Sequence, residues 1–96
     1  LLGKLRELDS PFVGDVRGMG LIIAVELVSG GGDPLDAERT GRVQARIREE
    51  GVLIGRMSYA APGPESVLEL APPLILTEAQ ADQIAAAFRA GLQSIQ

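Results

Sequence analysis

The stretch from Val67 to Gln80 reads VLELAPPLILTEAQ and holds a short strand, a stop and the start of a helix. Leu68 and Leu70 fall on one face of the strand, and Val67 and Glu69 fall on the other. This alternation is typical of a half-buried strand. Glu69 is therefore expected to point away from the core.

Two prolines and a capping pattern follow this strand. Pro72 and Pro73 have no backbone N–H, so strand pairing must end there. Thr77 then predicts the N-cap of the last helix, and Gln80, three residues later, completes a capping-box pattern. The stretch thus fixes the end of one element and the start of the next.

The composition limits the chain to one small domain with an aliphatic core. The sequence has 96 residues, 46% of them hydrophobic, but only two Phe and one Tyr. A chain of this size buries roughly 65% of its unfolded surface, which allows a modest core but no roomy enclosed active site.

Charge and residue types exclude several classes of function. A net charge of −4 argues against a nucleic-acid or anionic-membrane surface. The absence of His and Cys excludes a Cys/His zinc site, a thiol nucleophile and a His-based catalytic pair. The longest apolar run, Leu21 to Val25, is too short to cross a bilayer. No signal peptide is apparent, so we expect a cytoplasmic protein, and a start at Leu1 suggests a piece of a longer chain.

Periodicity and breakers predict an α+β fold. The expected sheet is small, mixed or antiparallel, with about four strands and with helices packed on one side. The predicted helices are Leu1–Leu8, Pro34–Glu50 (N-cap Asp33, stop at Gly51) and Thr77–Ser94. The predicted strands are Val13–Arg17, Leu21–Val28, Val52–Ile54 and Val67–Leu70. The predicted connections include a bend at Gly18–Gly20 and a long loop at Gly55–Glu65.

The glycines between Val13 and Gly20 suggest a phosphate-binding loop, but a simple strand connection fits better. The spacing does not match a Walker loop, and a dinucleotide fingerprint should open a helix, whereas a strand follows here. Arg17 and Asp15 share a strand face and are expected to form a surface ion pair of little energetic value.

Arg56 and Glu69 are the two candidate site residues. Arg56 follows a predicted strand and opens a loop rich in Gly, Pro and Ser, a position from which a guanidinium can bind a carboxylate through two hydrogen bonds. A solvated Arg is the alternative. Glu69 is either a solvent-facing sheet residue or part of a site completed by another domain, and the local sequence leaves both open.

Three ordered segments resemble class III pyridoxal-phosphate aminotransferases. VGDVRGMGLIIAVEL at 13–27 is similar to the opening of the family's C-terminal domain, EGVLIGR at 50–56 follows in the family's order, and VLELAPPL at 67–74 precedes TEAQ at 77–80. The resemblance covers nearly the whole chain. It implies that residues 1–96 form the C-terminal small domain of a type I fold, a fragment without the large cofactor domain.

The resemblance also implies what the fragment lacks. The family's Schiff-base lysine and phosphate site lie in the large domain, and the only lysine here is Lys4. We therefore expect no catalytic or cofactor-binding residue in this chain, no pyridoxal 5′-phosphate bound to it alone and no activity of the fragment. The implied partners of the fragment are the large domain of the same chain and a second subunit in a homodimer.

The resemblance places substrate recognition on the two candidates. Many members have a carboxylate-binding arginine at the position of Glu69, and a carboxylate there would repel a substrate carboxylate. Members similar to the amine–pyruvate group use a mobile arginine near the position of Arg56. We therefore expect Arg56 to move toward the carboxylate of a small keto acid and away from a hydrophobic amine.

The expected parent enzyme transfers an amino group between an amine or ω-amino acid and a keto acid such as pyruvate. A 4-aminobutyrate or alanine–glyoxylate aminotransferase is the alternative within the family. A mutase or decarboxylase using the same cofactor is a third possibility. From another class, a non-catalytic α+β binding module could keep only the small-domain fold, and it would lack an apolar docking patch.

Overall fold

Three helices and four strands make up the part of the chain that the computed structural model describes, residues 1–19, 22–56, 66–72 and 76–96. Their order is α1 (Leu2–Arg6), β1 (Val13–Met19), β2 (Ile22–Leu27), α2 (Ala37–Glu49), β3 (Gly55–Arg56), β4 (Val67–Leu70) and α3 (Glu78–Gln93). The predicted α+β class and the predicted order of elements are confirmed.

The strands form one antiparallel sheet in the order β1-β2-β4-β3, so that β1 and β3 are its edges. The register sets two neighbouring rows of side chains on opposite faces. One row is Val16–Val25–Leu68–Arg56, and the other is Arg17–Ala24–Glu69–Gly55.

The first row faces the helices, and its apolar members belong to the core. Val25 and Leu68 are fully buried there. The apolar residues near and along α3 pack against this layer and are buried: Ala81, Ile84, Ala85, Phe88, Leu92 and Ile95. Val43 and Ile47 of α2 complete the layer, and α2 packs against α3. We call the opposite side of the sheet, which carries the second row, the open face.

The start of α3 is as predicted. The hydroxyl of Thr77 accepts a hydrogen bond from the Gln80 backbone N–H at 3.1 Å, and the Thr77 backbone N–H donates to Gln80 Oε1 at 3.0 Å. Both halves of the capping box are present. The strand at Val67–Leu70 is also confirmed, with Leu68 and Leu70 buried and Glu69 half-buried.

The predicted start of α2 is wrong by one turn. Its N-cap is Asp36, whose side chain accepts from the Arg39 backbone N–H, rather than Asp33. The preceding residues instead continue beside β2: Pro34 bridges Val28, and the Leu35 N–H donates to the Leu27 carbonyl. The predicted stop at Gly51 is confirmed by its φ of 87°.

The third strand lies later than predicted. Residues 52–54 form no strand, and pairing with β4 begins at Gly55. Val52 and Ile54 are buried, which accounts for the misleading apolar pattern. In β1 the strand continues through Met19 into the segment predicted as a bend. The last residue of the predicted bend, Gly20, the first residue of the predicted strand, Leu21, residues 57–65 of the predicted loop and Pro73 lie outside the described residues.

The residues of β2 on the open face differ in burial. Ala24 is fully buried on the open face, but Ile22 is 38% exposed there.

Among the described residues, none of the helices has the length and apolar character that crossing a bilayer requires.

Candidate functional site

Arg56 lies at the end of the edge strand β3, on the helix face of the sheet. It pairs with Leu68 of β4 and is half-buried. Its Nε donates a hydrogen bond to Gln44 Oε1 of α2 at 2.7 Å. A Cβ atom placed on Gly41 would lie 2.6 Å from Arg56 Nη2. The guanidinium therefore rests directly against the backbone of α2, in the space that the missing Gly41 side chain leaves.

The backbone just before β3 is fastened to the same helix. The carbonyl oxygen of Ile54 accepts hydrogen bonds from Gln44 Nε2 at 3.2 Å, from Arg48 Nε at 3.2 Å and from Arg48 Nη2 at 3.0 Å. Gln44 thus uses both ends of its amide, one on the backbone of Ile54 and one on the side chain of Arg56.

Glu69 lies on the open face, half-buried over Gly55. A Cβ atom on Gly55 would come within 3.3 Å of Glu69 Oε1. Any residue other than glycine at this position would therefore displace the carboxylate. Within the described part of the chain the carboxylate has no hydrogen bond or ion pair. It borders a pocket of about 340 Å³, lined by Ile22, Arg48, Leu53, Ile54, Gly55, Glu69 and Ala71.

The structure does not bring the two predicted site residues together. Arg56 and Glu69 belong to adjacent rows on opposite faces of the sheet, because β3 places Gly55, not Arg56, opposite Glu69. A ligand on the open face meets Glu69 directly, whereas Arg56 must leave α2 and pass the edge of the sheet to reach it. Residues 57–65 follow Arg56 and lie outside the described residues.

An ion-pair cluster covers the other end of the open face. Arg17 Nη1 lies 3.0 Å from Asp15 Oδ2 and 3.0 Å from Glu26 Oε2. The hydrogen bonds to Glu26 and then to Asp15 raise the pKa of Arg17 above its ordinary value. The predicted pair is confirmed and extended by Glu26. Two exposed apolar side chains, Ile22 and Leu53, lie beside Glu69 on the same face.

Lys4 is held as a structural cation. Its Nζ lies 2.7 Å from Glu78 Oε1 and 2.8 Å from Asp82 Oδ1, so that it joins α1 to the first two turns of α3. The hydrogen bonds to Asp82 and to Glu78 raise the pKa of Lys4 well above its ordinary value. The only lysine of the chain is therefore engaged by two carboxylates of α3.

Gln44, Gly41 and Arg48 are the contacts that the sequence did not reveal. Gly41 was the available signal, because glycine inside a helix costs about 1 kcal/mol relative to alanine and often marks a close approach. Gln44 and Arg48 follow it by three and seven positions, which places all three on one side of α2.

The comparisons with known proteins identify the family. Residues 1–92 match the model of the family described as "Aminotransferase class-III", and the chain belongs to this family. An uncharacterized aminotransferase, YhxA, of Bacillus subtilis is 40% identical over an alignment of 98 positions that covers 99% of this chain and 22% of that protein. An alanine/serine racemase of Pyrococcus horikoshii is 40% identical over an alignment of 85 positions that covers 86% of this chain and 17% of that protein. A taurine–pyruvate aminotransferase of Rhodobacter capsulatus is 38% identical over an alignment of 99 positions that covers 99% of this chain and 22% of that protein.

The solved structures agree with the family match. A Bacillus anthracis aminotransferase superposes with a TM-score of 0.83 at 31% identity, covering 97% of this chain and 22% of that one. An amine transaminase from an uncultivated Pseudomonas species, in its PLP-bound form, gives a TM-score of 0.77 at 32% identity, covering 99% of this chain and 21% of that one. The chain spans only about a fifth of the length of the relatives and structures that it matches.

Proposed function

We propose that this chain is the C-terminal small domain of a longer class III aminotransferase. The whole enzyme transfers an amino group between an amine or ω-amino acid and a small keto acid such as pyruvate. The family match over residues 1–92 carries the proposal. The superposition on a solved aminotransferase at a TM-score of 0.83 supports it, and a related protein is a taurine–pyruvate aminotransferase.

The cofactor and the partners follow from the same proposal. Pyridoxal 5′-phosphate, when bound, stores the amino group between donor and acceptor. A large domain of the same chain supplies the lysine that holds it, since Lys4 is engaged by Glu78 and Asp82. The open face packs toward that large domain, and two whole chains form a homodimer. The 96-residue chain alone binds no cofactor and is inactive.

Arg56 and Glu69 select the substrates. Arg56 binds the carboxylate of the keto acid through charge-assisted hydrogen bonds, for which a guanidinium is well suited. Glu69 lies in a pocket lined in part by Ile22 and Leu53. Its negative charge disfavours a substrate carboxylate at this position, because like charges in a partly desolvated pocket repel each other.

The test is the Arg56→Ala variant of the full-length enzyme, with the two half-reactions measured separately. Losing hydrogen bonds to a charged group should raise the KM for pyruvate roughly tenfold to a hundredfold. The half-reaction with benzylamine, which has no carboxylate, should change little. Arg56→Lys is the matched control and should recover part of the pyruvate affinity. An equal loss in both half-reactions would contradict the role of Arg56.

Two other activities are alternatives, and one specific observation bears on each of them. A 4-aminobutyrate aminotransferase must bind a donor carboxylate, which Glu69 disfavours. An amino-acid racemase has support from the Pyrococcus horikoshii relative. Incubating the full-length enzyme with L-alanine separates the racemase from the aminotransferase, because racemisation yields D-alanine without a keto acid, whereas transamination requires one.

The alternative from another class of protein is a binding module without catalytic activity. Purifying the native protein and determining its full coding sequence separates it from the enzyme. A native protein that consists of these 96 residues alone would lack the lysine that the enzyme needs.

A further inference from the structure

The contact between Arg56 and α2 has a geometry that suits a docking position for a mobile side chain. We propose that Gln44 and Gly41 hold Arg56 in a docked conformation on α2, and that the strength of this docking sets the apparent affinity for the keto acid. The inference rests on the proposed role of Arg56 in binding the keto-acid carboxylate.

The docked conformation competes with substrate binding. Arg56 lies on the helix face of the sheet, and its Nε donates to Gln44 Oε1 at 2.7 Å. To bind a carboxylate on the open face, the guanidinium must give up this hydrogen bond and leave the helix. Only the undocked fraction of the enzyme binds the keto acid, so the apparent dissociation constant rises as that fraction falls.

Gln44 is prepared for this role by its second hydrogen bond. Its Nε2 donates to the Ile54 carbonyl at 3.2 Å, which directs Oε1 toward Arg56. An amide has one accepting and one donating end, and both ends here face a complementary partner. The acceptor is therefore held in place before Arg56 arrives.

Gly41 provides the space. A Cβ atom there would lie 2.6 Å from Arg56 Nη2, so any larger residue pushes the guanidinium off the helix. The displaced atom is the far end of a flexible side chain, and alanine is a better helix former than glycine. Gly41→Ala should therefore undock Arg56 while α2 remains folded.

The experiment compares three variants of the full-length enzyme that change docking in opposite directions. Gln44→Glu turns the acceptor into a carboxylate and should raise the KM for pyruvate about three- to tenfold, since a charge-assisted hydrogen bond is roughly twice as strong as a neutral one. Gln44→Met and Gly41→Ala should lower that KM by a similar factor. In all three variants, the KM for benzylamine should not change in parallel with the KM for pyruvate.

Val52→Ala is the matched control for a merely structural effect. Val52 is buried in the segment before β3 and does not line the Glu69 pocket, so this substitution loosens the packing of the segment without removing Gln44 Oε1. If loosening of this segment explained the Gln44 variants, Val52→Ala would shift the pyruvate KM as Gln44→Met does. A pyruvate KM that moves in the same direction in Gln44→Glu and Gly41→Ala, or in neither, would also overturn the docking role.

The Arg56→Ala variant distinguishes a failure of the proposed function of Arg56 from a failure of the docking inference. If Arg56→Ala leaves the pyruvate KM unchanged, the proposed function of Arg56 fails. If Arg56→Ala raises it but the Gln44 and Gly41 variants do not change it as expected, only the docking inference fails.

Discussion

Asp36 begins α2, and the hydrogen bonds that it accepts favour its charged form. Its Oδ2 accepts from the Arg39 backbone N–H at 3.0 Å, and its Oδ1 accepts from Arg39 Nε at 2.5 Å. These hydrogen bonds, the backbone one foremost, hold the pKa of Asp36 below its ordinary value of 3.8. The residue that starts the helix therefore also links its stability to pH.

The sign of this dependence follows from the lowered pKa. Asp36 contributes stability that is fully present above its unfolded pKa and is lost as the pH falls through its folded pKa. Asp36→Asn keeps a capping oxygen but does not titrate. We expect wild type to exceed Asp36→Asn in stability by more at about pH 6 than at about pH 3, as measured by urea denaturation.

The control for Asp36 is Asp33→Asn. Asp33 is exposed and does not cap α2, so this substitution should leave the stability of the helix unchanged. A difference between wild type and Asp36→Asn that does not vary with pH would contradict the assignment of the titration to Asp36.

At the scale of elements, the contact between α2 and α3 depends on one glycine. A Cβ atom on Gly91 would lie 3.0 Å from Ile47 Cγ1 and 3.0 Å from the Val43 carbonyl oxygen. A backbone oxygen cannot yield as a side chain can, so the helices would have to separate. Gly91→Ala should destabilise the protein by about 1–2 kcal/mol, because overpacking exceeds the gain in helix propensity.

Gly3→Ala in α1 is the matched control for Gly91→Ala. Nothing lies within 4 Å of a Cβ atom there, so the same change should be neutral or slightly stabilising. Thermal unfolding of both variants checks the pair. A stabilised Gly91→Ala variant would show that α2 and α3 separate at little cost.

The sequence correctly predicted the elements that depend on interactions between residues close together in the chain. The capping box of Thr77 and Gln80 and the alternation around Leu68 are complete within a few residues, and both are confirmed. Asp33 was predicted as the N-cap because Pro34 follows it, but Asp36 caps α2. Long-range pairing with β2 decides between them, because Leu35 bonds Leu27 and delays the helix.

The positions of the candidate site residues depended on contacts across the fold. The strand before Arg56 was predicted too early because the buried Val52 and Ile54 imitate strand alternation. The carbonyl of Ile54 is bound by Gln44 and Arg48 instead of a neighbouring strand. The shift moves Arg56 from the predicted loop into β3, where its pairing with Leu68 places it on the helix face.

At the scale of the whole molecule, the two faces of the sheet differ in how they are covered. The helix face holds the core, whereas the open face carries the Arg17 cluster, Glu69 and the exposed side chains of Ile22 and Leu53. Leu53, which is 85% exposed, lies with Ile22 beside Glu69, and an apolar cluster of this kind is a candidate surface for another body to cover. In the proposed enzyme that body is the large domain.

The 96-residue chain without a large domain should therefore associate with itself through the open face. Burial of Leu53 and Ile22 would drive this association, as apolar area removed from water does in general. Light scattering at low micromolar concentration should show species larger than a monomer, and Leu53→Asp should shift them toward the monomer. Ala79→Asp, which adds the same charge at an exposed position of α3, should not. A strict monomer, or equal effects of the two substitutions, would mean that the open face is not the docking surface.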